Sequence, residues 1–316
     1  MKILVVGAGV IGSIYGGRLA ESGHAVDFLA RGKRLAELER EGLVLENIVD
    51  GSRSRPPVRV VAAPGAVPSD LVLVALRDGQ ITSALPLLDD LPGRPDILFL
   101  SNCPLRVAEL VGRFGADRTF FAFAGAGGVH DGATIRYAAV RQQATTFGPV
   151  LGASPAKTDE ISRIFAAAGF AVERVPDMEA WLMTHAFFIT AICGALYRNG
   201  GRSAALAGNR ADLALMRRGL SEGLACVRAL GKKPSPAKFD FLADYLPEWL
   251  VVAFLRRFFA SKLAEFAIDG HANAAADDMA DLAADCRKMI AGAGIAAPTV
   301  DVLAGAVEAY AGRRNA

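Results

Sequence analysis

The sequence predicts an α/β fold in which a parallel-sheet domain, residues 1–176, precedes an all-helical domain, residues 177–316. Two observations predict it. In the first half, continuous apolar runs bounded by turn residues alternate with helical patterns, as strands covered by helices on both faces require. Beyond residue 177 only helical patterns occur, broken at glycines such as Gly231 and Gly270. The chain therefore combines a parallel sheet with a separate helical bundle.

Six apolar runs are the predicted strands of the first domain. In chain order they are ILVVG, AVDFLA, VRVVA, DLVLVAL, DILFLS and TFFAFAG. Two shorter alternating segments follow, ATIRYAAV and QATTFGPV, and then the helical pattern ISRIFAAAG and the strand AVERV. Together these segments complete the first domain.

Composition excludes several classes of protein. The 35 Lys and Arg residues nearly balance the 33 Asp and Glu residues, so the chain lacks the basic footprint of a nucleic-acid-binding protein. The four cysteines are far apart and form no C-x-x-C pair, which argues against a disulfide framework or a zinc site. We expect no metal, reduced thiols and a cytoplasmic location.

No segment predicts membrane association. The first strand begins at residue 2, which leaves no room for a signal peptide. The run 181–197 is shorter than the ~20 apolar residues of a membrane span, and the run 249–260 is interrupted by Arg256 and Arg257. We expect both runs to form core helices of a soluble protein.

The first strand leads into the pattern G-x-G-x-x-G, formed by Gly7, Gly9 and Gly12. In a Rossmann-type domain the first glycine makes a tight turn, the second lets the backbone approach a pyrophosphate, and the third lets helix and strand pack closely. The amides of Val10 and Ile11 open the following helix, whose N-terminus favours phosphate. The sequence therefore predicts a dinucleotide site.

The residue after the second strand predicts which dinucleotide binds. An NAD site places an acidic side chain there, whereas this chain has Arg31, followed by Lys33 and Arg34. A guanidinium can bind a 2′-phosphate through two hydrogen bonds. The nearby acid, Asp27, lies inside the strand. We predict NADP as the cofactor, with a solvated basic turn as the alternative interpretation.

Over these segments the chain resembles the ketopantoate reductase family, which reduces a 2-oxo acid with NADPH. The resemblance is strongest over GAGVIGSIYGGRLAESGHAVDFLARG and continues through SDLVLVALRDGQ, where Arg77 stands in place of the family's Lys. It implies a cofactor and substrate role for Asn102 at the end of LFLSN. The segment GATIRYAAVRQQATTFGP looks like the paired strands that close the family's first domain.

The helical domain departs from the family at the catalytic positions. The family pattern W-x-K-x-x-x-N aligns on Trp181 and places Met183 at the Lys and Phe187 at the Asn. A thioether cannot protonate a developing alkoxide. His185 is the best replacement, because an imidazole can donate a proton near neutrality, although two residues of helix turn it by about 200° from that face. A hydrogen-bonded core histidine is the alternative.

Two further residues align with the family's substrate-binding positions. They are Ser261, in place of a family Ser, and Asp278, in place of a family Glu. Both also suit ordinary helix caps or helix surfaces. His130 and His271 lie near glycines and could line the site or simply be exposed.

Three functions remain open from the sequence. The first is a reductase of this superfamily that acts on a different carbonyl or imine, with the proton taken from His185 or water. The second is ketopantoate reduction itself with rearranged groups. The third is an NADP-binding or redox-sensing protein without hydride transfer. The aromatic richness of LPEWLVVAFLRRFFASKLAEF also suggests a homodimer.

Overall fold

The structure of the protein, a computed structural model, describes residues 1–65, 68–131, 134–139 and 143–315. The chain forms two compact units. The first contains residues 1–102 and 106–178, and the second contains residues 103–105 and 179–316. The predicted boundary after residue 176 lies close to this division.

An eight-stranded sheet forms the centre of the first unit. Its strands are β1 (Lys2–Val6), β2 (Ala25–Leu29), β5 (Val58–Val61), β6 (Leu71–Val74), β7 (Asp96–Leu100), β8 (Thr119–Phe123), β11 (Thr145–Gly148) and β12 (Val172–Arg174). The order across the sheet is β12-β11-β8-β7-β6-β1-β2-β5. The six predicted apolar runs form β1, β2, β5, β6, β7 and β8, and each neighbouring pair among them is parallel.

A smaller sheet, absent from the sequence prediction, also belongs to the first unit. Its strands are β3 (Val44–Asn47), β4 (Arg53–Ser54), β9 (Gly127–Asp131) and β10 (Thr134–Ala138), in the order β4-β3-β10-β9. The prediction that the segments ATIRYAAV and QATTFGPV form paired strands is therefore wrong in one respect, because the described residues of the two segments do not pair with each other. Within the described residues, β10 pairs with β3 and β9, whereas β11 pairs with β8 and β12 in the large sheet. Residues 132–133 and 140–142 lie outside the described part.

Five helices belong to the first unit. They are α1 (Val10–Glu21), α2 (Gly32–Glu41), α3 (Asp78–Asp89), α4 (Val107–Phe114) and α5 (Pro155–Ala167). Helix α1 packs its buried residues Ile14, Tyr15 and Leu19 into the apolar core below the sheet. The Tyr15 hydroxyl lies 2.6 Å from Oγ1 of Thr145 and accepts hydrogen bonds from the amides of Gly125 and Ala126. This side chain ties the first helix to the far side of the sheet.

The regular secondary structure of the described residues beyond residue 178 is helical, as predicted. The α-helices are α6 (Met178–Arg198), α7 (Ser203–Gly208), α8 (Arg210–Ala229), α9 (Lys238–Asp240), α10 (Glu248–Phe259), α11 (Lys262–Ala264), α12 (Gly270–Ala274), α13 (Ala276–Ala293) and α14 (Pro298–Asn315). Two π-helical segments, Phe241–Tyr245 and Glu265–Asp269, extend α9 and α11. The carboxylate of Glu222 caps the N-terminus of α14, where it accepts hydrogen bonds from the amides of Thr299 and Val300 at 2.8 and 3.0 Å.

Helix α6 has the length and apolar composition of a membrane span. However, 83% of its most apolar window is buried inside the protein, which favours a core helix of a soluble protein. Helix α10 buries Val251, Val252 and Phe259 but leaves Trp249 66% and Phe254 58% exposed. The expectation of a core helix therefore holds for one face of α10 and fails for the other.

The four cysteines are buried thiols. Burial raises the pKa of Cys193 and Cys286 to about 12 and that of Cys226 to about 11. Because the thiolate is the reactive form, these thiols are chemically inert in the folded protein.

Candidate dinucleotide site

The carboxyl edge of the large sheet collects the predicted cofactor residues of the first unit. Gly7 follows β1, Arg31 follows β2, Arg77 follows β6 and Asn102 follows β7. These four strands are neighbours and run parallel, so their carboxyl ends lie along one edge. In open α/β sheets ligands bind at this edge, where the strand order reverses.

The glycine loop has one position that the fold does not explain. A Cβ on Gly12 would lie 2.0 Å from the carbonyl oxygen of Gly7, and a Cβ on Gly7 would lie 2.4 Å from that of Ala75. Both positions therefore require glycine for packing. By contrast, a Cβ on Gly9 would meet no described atom within 4 Å, and its φ of −76° suits any residue. The loop is open there, so the protein backbone can approach a ligand phosphate closely.

Helix α1 begins at this loop with its first amides available. Gly9 is the N-cap residue, and within the described part of the chain no side chain caps the helix. The amides of Val10, Ile11 and Gly12 precede the first intrahelical hydrogen bond, which runs from Ser13 N to Gly9 O at 2.9 Å. Unsatisfied amides and the positive end of the helix dipole together favour an anion.

The basic residues after β2 occupy different environments. Arg31 is exposed as the N-cap of α2. Lys33 is also exposed, with Nζ 3.8 Å from Glu37. Asp27, the nearby acid, is 8% exposed and accepts two hydrogen bonds from Arg59, at 2.8 and 2.5 Å. Because this carboxylate is already bound inside the sheet, the residue at the end of β2 determines the local charge.

Arg34 contacts the glycine loop, which sequence reasoning did not predict. Its Nε donates to the carbonyl oxygen of Ala8 at 2.9 Å, and its Nη2 donates to Oγ of Ser13 at 3.2 Å. The sequence shows only that Arg34 is a basic residue near the end of β2. The contact itself depends on how α2 turns back towards α1.

Arg77 and Asn102 follow adjacent strands. Arg77 is the exposed N-cap of α3, and its amide donates to Oε1 of Gln80 at 3.2 Å. Next to Asn102, the hydroxyl of Ser101 donates to the carbonyl oxygen of Leu76 at 2.7 Å and joins the two loops. Oδ1 of Asn102 is shielded from solvent and has no hydrogen-bond partner among the described residues. An unpaired buried acceptor of this kind is costly unless a ligand supplies a donor.

Met183 and Phe187 lie in the apolar core of the second unit. Phe187 is 1% exposed, and its Cβ and Cγ lie 2.5 Å from where a Cβ on Gly223 would be. The cluster that encloses both side chains also contains Ala186, Cys226, Val227, Leu282, Cys286, Met289, Ala297 and Val300. The face on which the resemblance predicts a catalytic pair is therefore a packing surface in this chain.

His185 lies on a different face of α6, as the helical rotation predicts. Its ring stacks on Trp181, with centroids 4.7 Å apart and planes 9° apart, and also contacts Phe188 at 6.3 Å. Burial lowers the pKa of His185 to about 3. The ring is thus neutral near pH 7, where it could donate a hydrogen bond but would rarely carry the proton of an imidazolium. Its catalytic role stays a prediction.

We expect His185 to weaken the fold in acid. In the unfolded chain the imidazole takes up a proton near pH 6.5, whereas in the folded chain it does so only at about 3. Stability is therefore complete above pH 6.5 and falls as the pH falls toward 3. His185→Phe should reduce this loss by about 1 kcal/mol per pH unit. Urea unfolding of both proteins from neutral pH downward measures the difference, and parallel pH profiles would contradict it.

Ser261 and Asp278 sit at helix N-termini in the second unit. Oγ of Ser261 accepts the amide of Ala264 at 3.2 Å and donates to the carbonyl of Phe258 at 2.6 Å. Asp278 lies in the first turn of α13. Ser261 is thus the N-cap of α11, whereas Asp278 lies within the first turn of α13, and the substrate roles of both stay predictions.

The two remaining histidines differ in what the structure describes. His130 is exposed on β9. The side chain of His271 lies outside the described part of the chain.

The residues at the carboxyl edge fit a nicotinamide dinucleotide. The open position at Gly9 and the amides that begin α1 suit the pyrophosphate, and the exposed guanidinium of Arg31 suits a phosphate on the adenosine ribose. The unpaired acceptor of Asn102 suits an amide or hydroxyl donor. When bound, such a cofactor supplies a hydride, and the protein supplies binding and orientation.

The first unit resembles proteins of known family. Residues 3–152 match the family model of ketopantoate reductase PanE/ApbA. A 2-dehydropantoate 2-reductase from Pyrococcus horikoshii is 31% identical over 102 residues, which are 32% of this chain and 33% of that protein. The matched segment thus spans about a third of that relative's length.

Solved structures extend the likeness of fold along the chain. A PanE/ApbA family ketopantoate reductase from Ralstonia eutropha JMP134 superposes with a TM-score of 0.77 at 22% identity, over 100% of both chains. A D-mandelate dehydrogenase, solved with NADH and anilino(oxo)acetate, gives 0.80 at 14% identity, over 100% of this chain and 99% of that one. Identities this low show the fold alone. The match to the ketopantoate reductase PanE/ApbA family therefore lies in residues 3–152, a little under half of the chain.

Proposed function

We propose that the protein is an NADPH-dependent oxidoreductase that reduces a 2-oxo acid or a related carbonyl or imine. The observation that carries the choice of cofactor is the exposed guanidinium of Arg31 at the end of β2, beside a loop open at Gly9. Asp27 is held by Arg59 and does not offer a competing carboxylate. The family match over residues 3–152 supports the reaction class.

The proposed reaction also requires a proton donor. When a hydride reaches a carbonyl carbon, the oxygen becomes an alkoxide and needs a proton. Met183 has no acidic proton, and His185 is neutral at pH 7 because burial lowers its pKa to about 3. In this proposal the proton comes from water or from the N–H of His185. Asn102, Ser261 and Asp278 are the proposed substrate contacts, and Asn102 also contributes to the cofactor site.

Removing the guanidinium of Arg31 tests the choice of cofactor. Arg31→Ala should weaken NADPH binding by about 10- to 100-fold, because a charge-assisted phosphate contact is lost. NADH binding should change by less than about twofold, since NADH has no 2′-phosphate. Titration of nicotinamide fluorescence measures both affinities. Arg40→Ala, on the same helix but paired with Glu41, is the matched control. A parallel loss of both nucleotides, or preferential NADH binding by the parent, would refute the proposal.

A catalytically silent NADP-binding or redox-sensing protein is the second candidate. The apolar packing of Met183 and Phe187 favours it, because the predicted catalytic positions lie in the core. Loss of NADPH absorbance with ketopantoate and with a panel of aliphatic and aromatic 2-oxo acids separates the two. Turnover of any member supports the reductase. Tight NADPH binding without turnover across the panel supports the silent protein.

We also propose that the exposed face of α10 joins two copies of the chain. Apolar side chains are exposed on two consecutive helical segments, namely Phe241, Tyr245, Trp249, Leu250 and Phe254. At about 150–250 Å² for each aromatic side chain, their exposed parts approach about 600 Å², near the roughly 800 Å² per partner of a standard interface. Sedimentation should show a dimer that Phe254→Glu dissociates. A monomeric parent at micromolar concentration would refute it.

A further inference from the structure

We propose that Arg34 is a positioning residue that orients the peptide between Ala8 and Gly9 and thereby sets the affinity of the glycine loop for both NADPH and NADH. This inference rests on the proposed dinucleotide function. It assigns Arg34 a role different from that of Arg31, three residues earlier in the same basic segment.

The contacts of Arg34 converge on the loop. Nε donates to the carbonyl oxygen of Ala8 at 2.9 Å, and Nη2 donates to Oγ of Ser13 at 3.2 Å. Oγ of Ser13 in turn donates to the same carbonyl at 3.3 Å. Nη1 lies 3.5 Å from Glu37, one turn further along α2. One planar guanidinium therefore joins the loop, the first turn of α1 and α2.

The geometry of the peptide bond transmits this contact to the ligand side. In a trans peptide the carbonyl and the amide of the next residue point in opposite directions. Arg34 binds the carbonyl of Ala8, so it holds the amide of Gly9 pointing away from the guanidinium. Gly9 is the position that the protein leaves open. Arg34 thus fixes the direction of the Gly9 amide, which in this proposal is the direction of the ligand.

Burial distinguishes Arg34 from its neighbours. Its side chain is 16% exposed, whereas that of Lys33 is 92% exposed, and burial lowers the pKa of Arg34 from its usual value. A guanidinium engaged by Ala8, Ser13 and Glu37 has few donors left for a ligand. A 2′-phosphate would instead meet the exposed Arg31.

Paired variants separate the two roles. Arg34→Ala should weaken NADPH and NADH by similar factors of about tenfold each, because the loop is common to both nucleotides. Arg34→Lys keeps the charge but loses the planar fork, and should weaken both nucleotides in the same proportion. Arg31→Ala should affect NADPH alone, and Arg40→Ala should affect neither. Thermal unfolding of each variant shows that the fold is retained.

A measurement without nucleotide tests the positioning role directly. Deuterium uptake by the peptide that contains residues 7–12 should rise in Arg34→Ala and Arg34→Lys, and should stay at the parental rate in Arg40→Ala. This outcome would support the role of Arg34 even if the protein bound neither nucleotide, which would refute the proposed function alone. Unchanged uptake, or a loss confined to NADPH, would overturn the inference.

Discussion

Gly12→Ala is expected to destabilise the protein by about 3 kcal/mol or more. Its Cβ would lie 2.0 Å from the carbonyl oxygen of Gly7 and 3.2 Å from Cγ1 of Val5. A backbone carbonyl has no rotamer to change, so α1 must move away from β1. Overpacking a well-filled core costs about 1–3 kcal/mol, and displacing an element that carries buried residues such as Ile14 and Leu19 adds to it.

Gly9→Ala is the matched control for this prediction. The same methyl group added three residues earlier meets no described atom within 4 Å, so urea unfolding should show parental stability. The nucleotide would meet that methyl, and we expect affinity for NADPH to fall by about tenfold or more. Equal destabilisation by the two variants would show that Gly9 serves the fold and would remove the structural argument for a ligand at the loop.

Restoring the family's polar pair is expected to unfold the second unit rather than create activity. Phe187→Asn removes a ring that is 1% exposed and leaves a buried amide in a cluster that contains Cys226, Cys286 and Met289. The lost packing costs about 3–5 kcal/mol, and an unpaired buried polar group adds about 1–3 kcal/mol. Met183→Lys would place an ammonium in the same cluster. Circular dichroism and urea unfolding measure the loss.

Met183→Leu is the control for this experiment. It keeps the apolar character and approximate volume of the side chain, so its cost should stay below about 1.5 kcal/mol. A folded Met183→Lys, Phe187→Asn protein with increased turnover of 2-oxo acids would contradict the assignment of this face to the core. It would show instead that the helix retains the catalytic geometry of the family.

The strongest sequence signals were those with a local physical cause. Six of the eight strands of the large sheet form continuous apolar runs in the sequence, and the glycine loop lies directly between a strand and a helix, so both could be predicted. The second sheet could not. Strand β4 has two residues and β9 is mostly exposed, so neither carries an apolar period. The sequence predicts paired strands in segment 132–149, whereas in the structure β10 lies between β3 and β9 of the small sheet and β11 pairs with β8 in the large one.

In the site, too, the features set by neighbouring residues could be predicted, whereas those set by tertiary packing could not. Arg31 follows from its place after β2, whereas the contact of Arg34 with Ala8 spans 26 positions along the chain and depends on the packing of α2. A cap role for Ser261 was one of the two alternatives given by the sequence, and the structure shows the hydrogen bonds of a cap. The stack of His185 on Trp181 follows from their spacing of four residues on a helix, but its effect on the pKa required the surroundings.

The buried thiols and the glycine loop lie in different units, so each unit has its own experimental signal. Residues 103–105 and 179–316 form the second unit, so Cys103, Cys193, Cys226 and Cys286 all belong to it. An alkylating reagent reacts only when these side chains become exposed, and its rate therefore reports the opening of the helical unit. Nucleotide fluorescence reports the first unit, where the glycine loop lies. Recorded together during denaturation, the two signals can show whether a substitution such as Gly12→Ala unfolds one unit while the other remains folded.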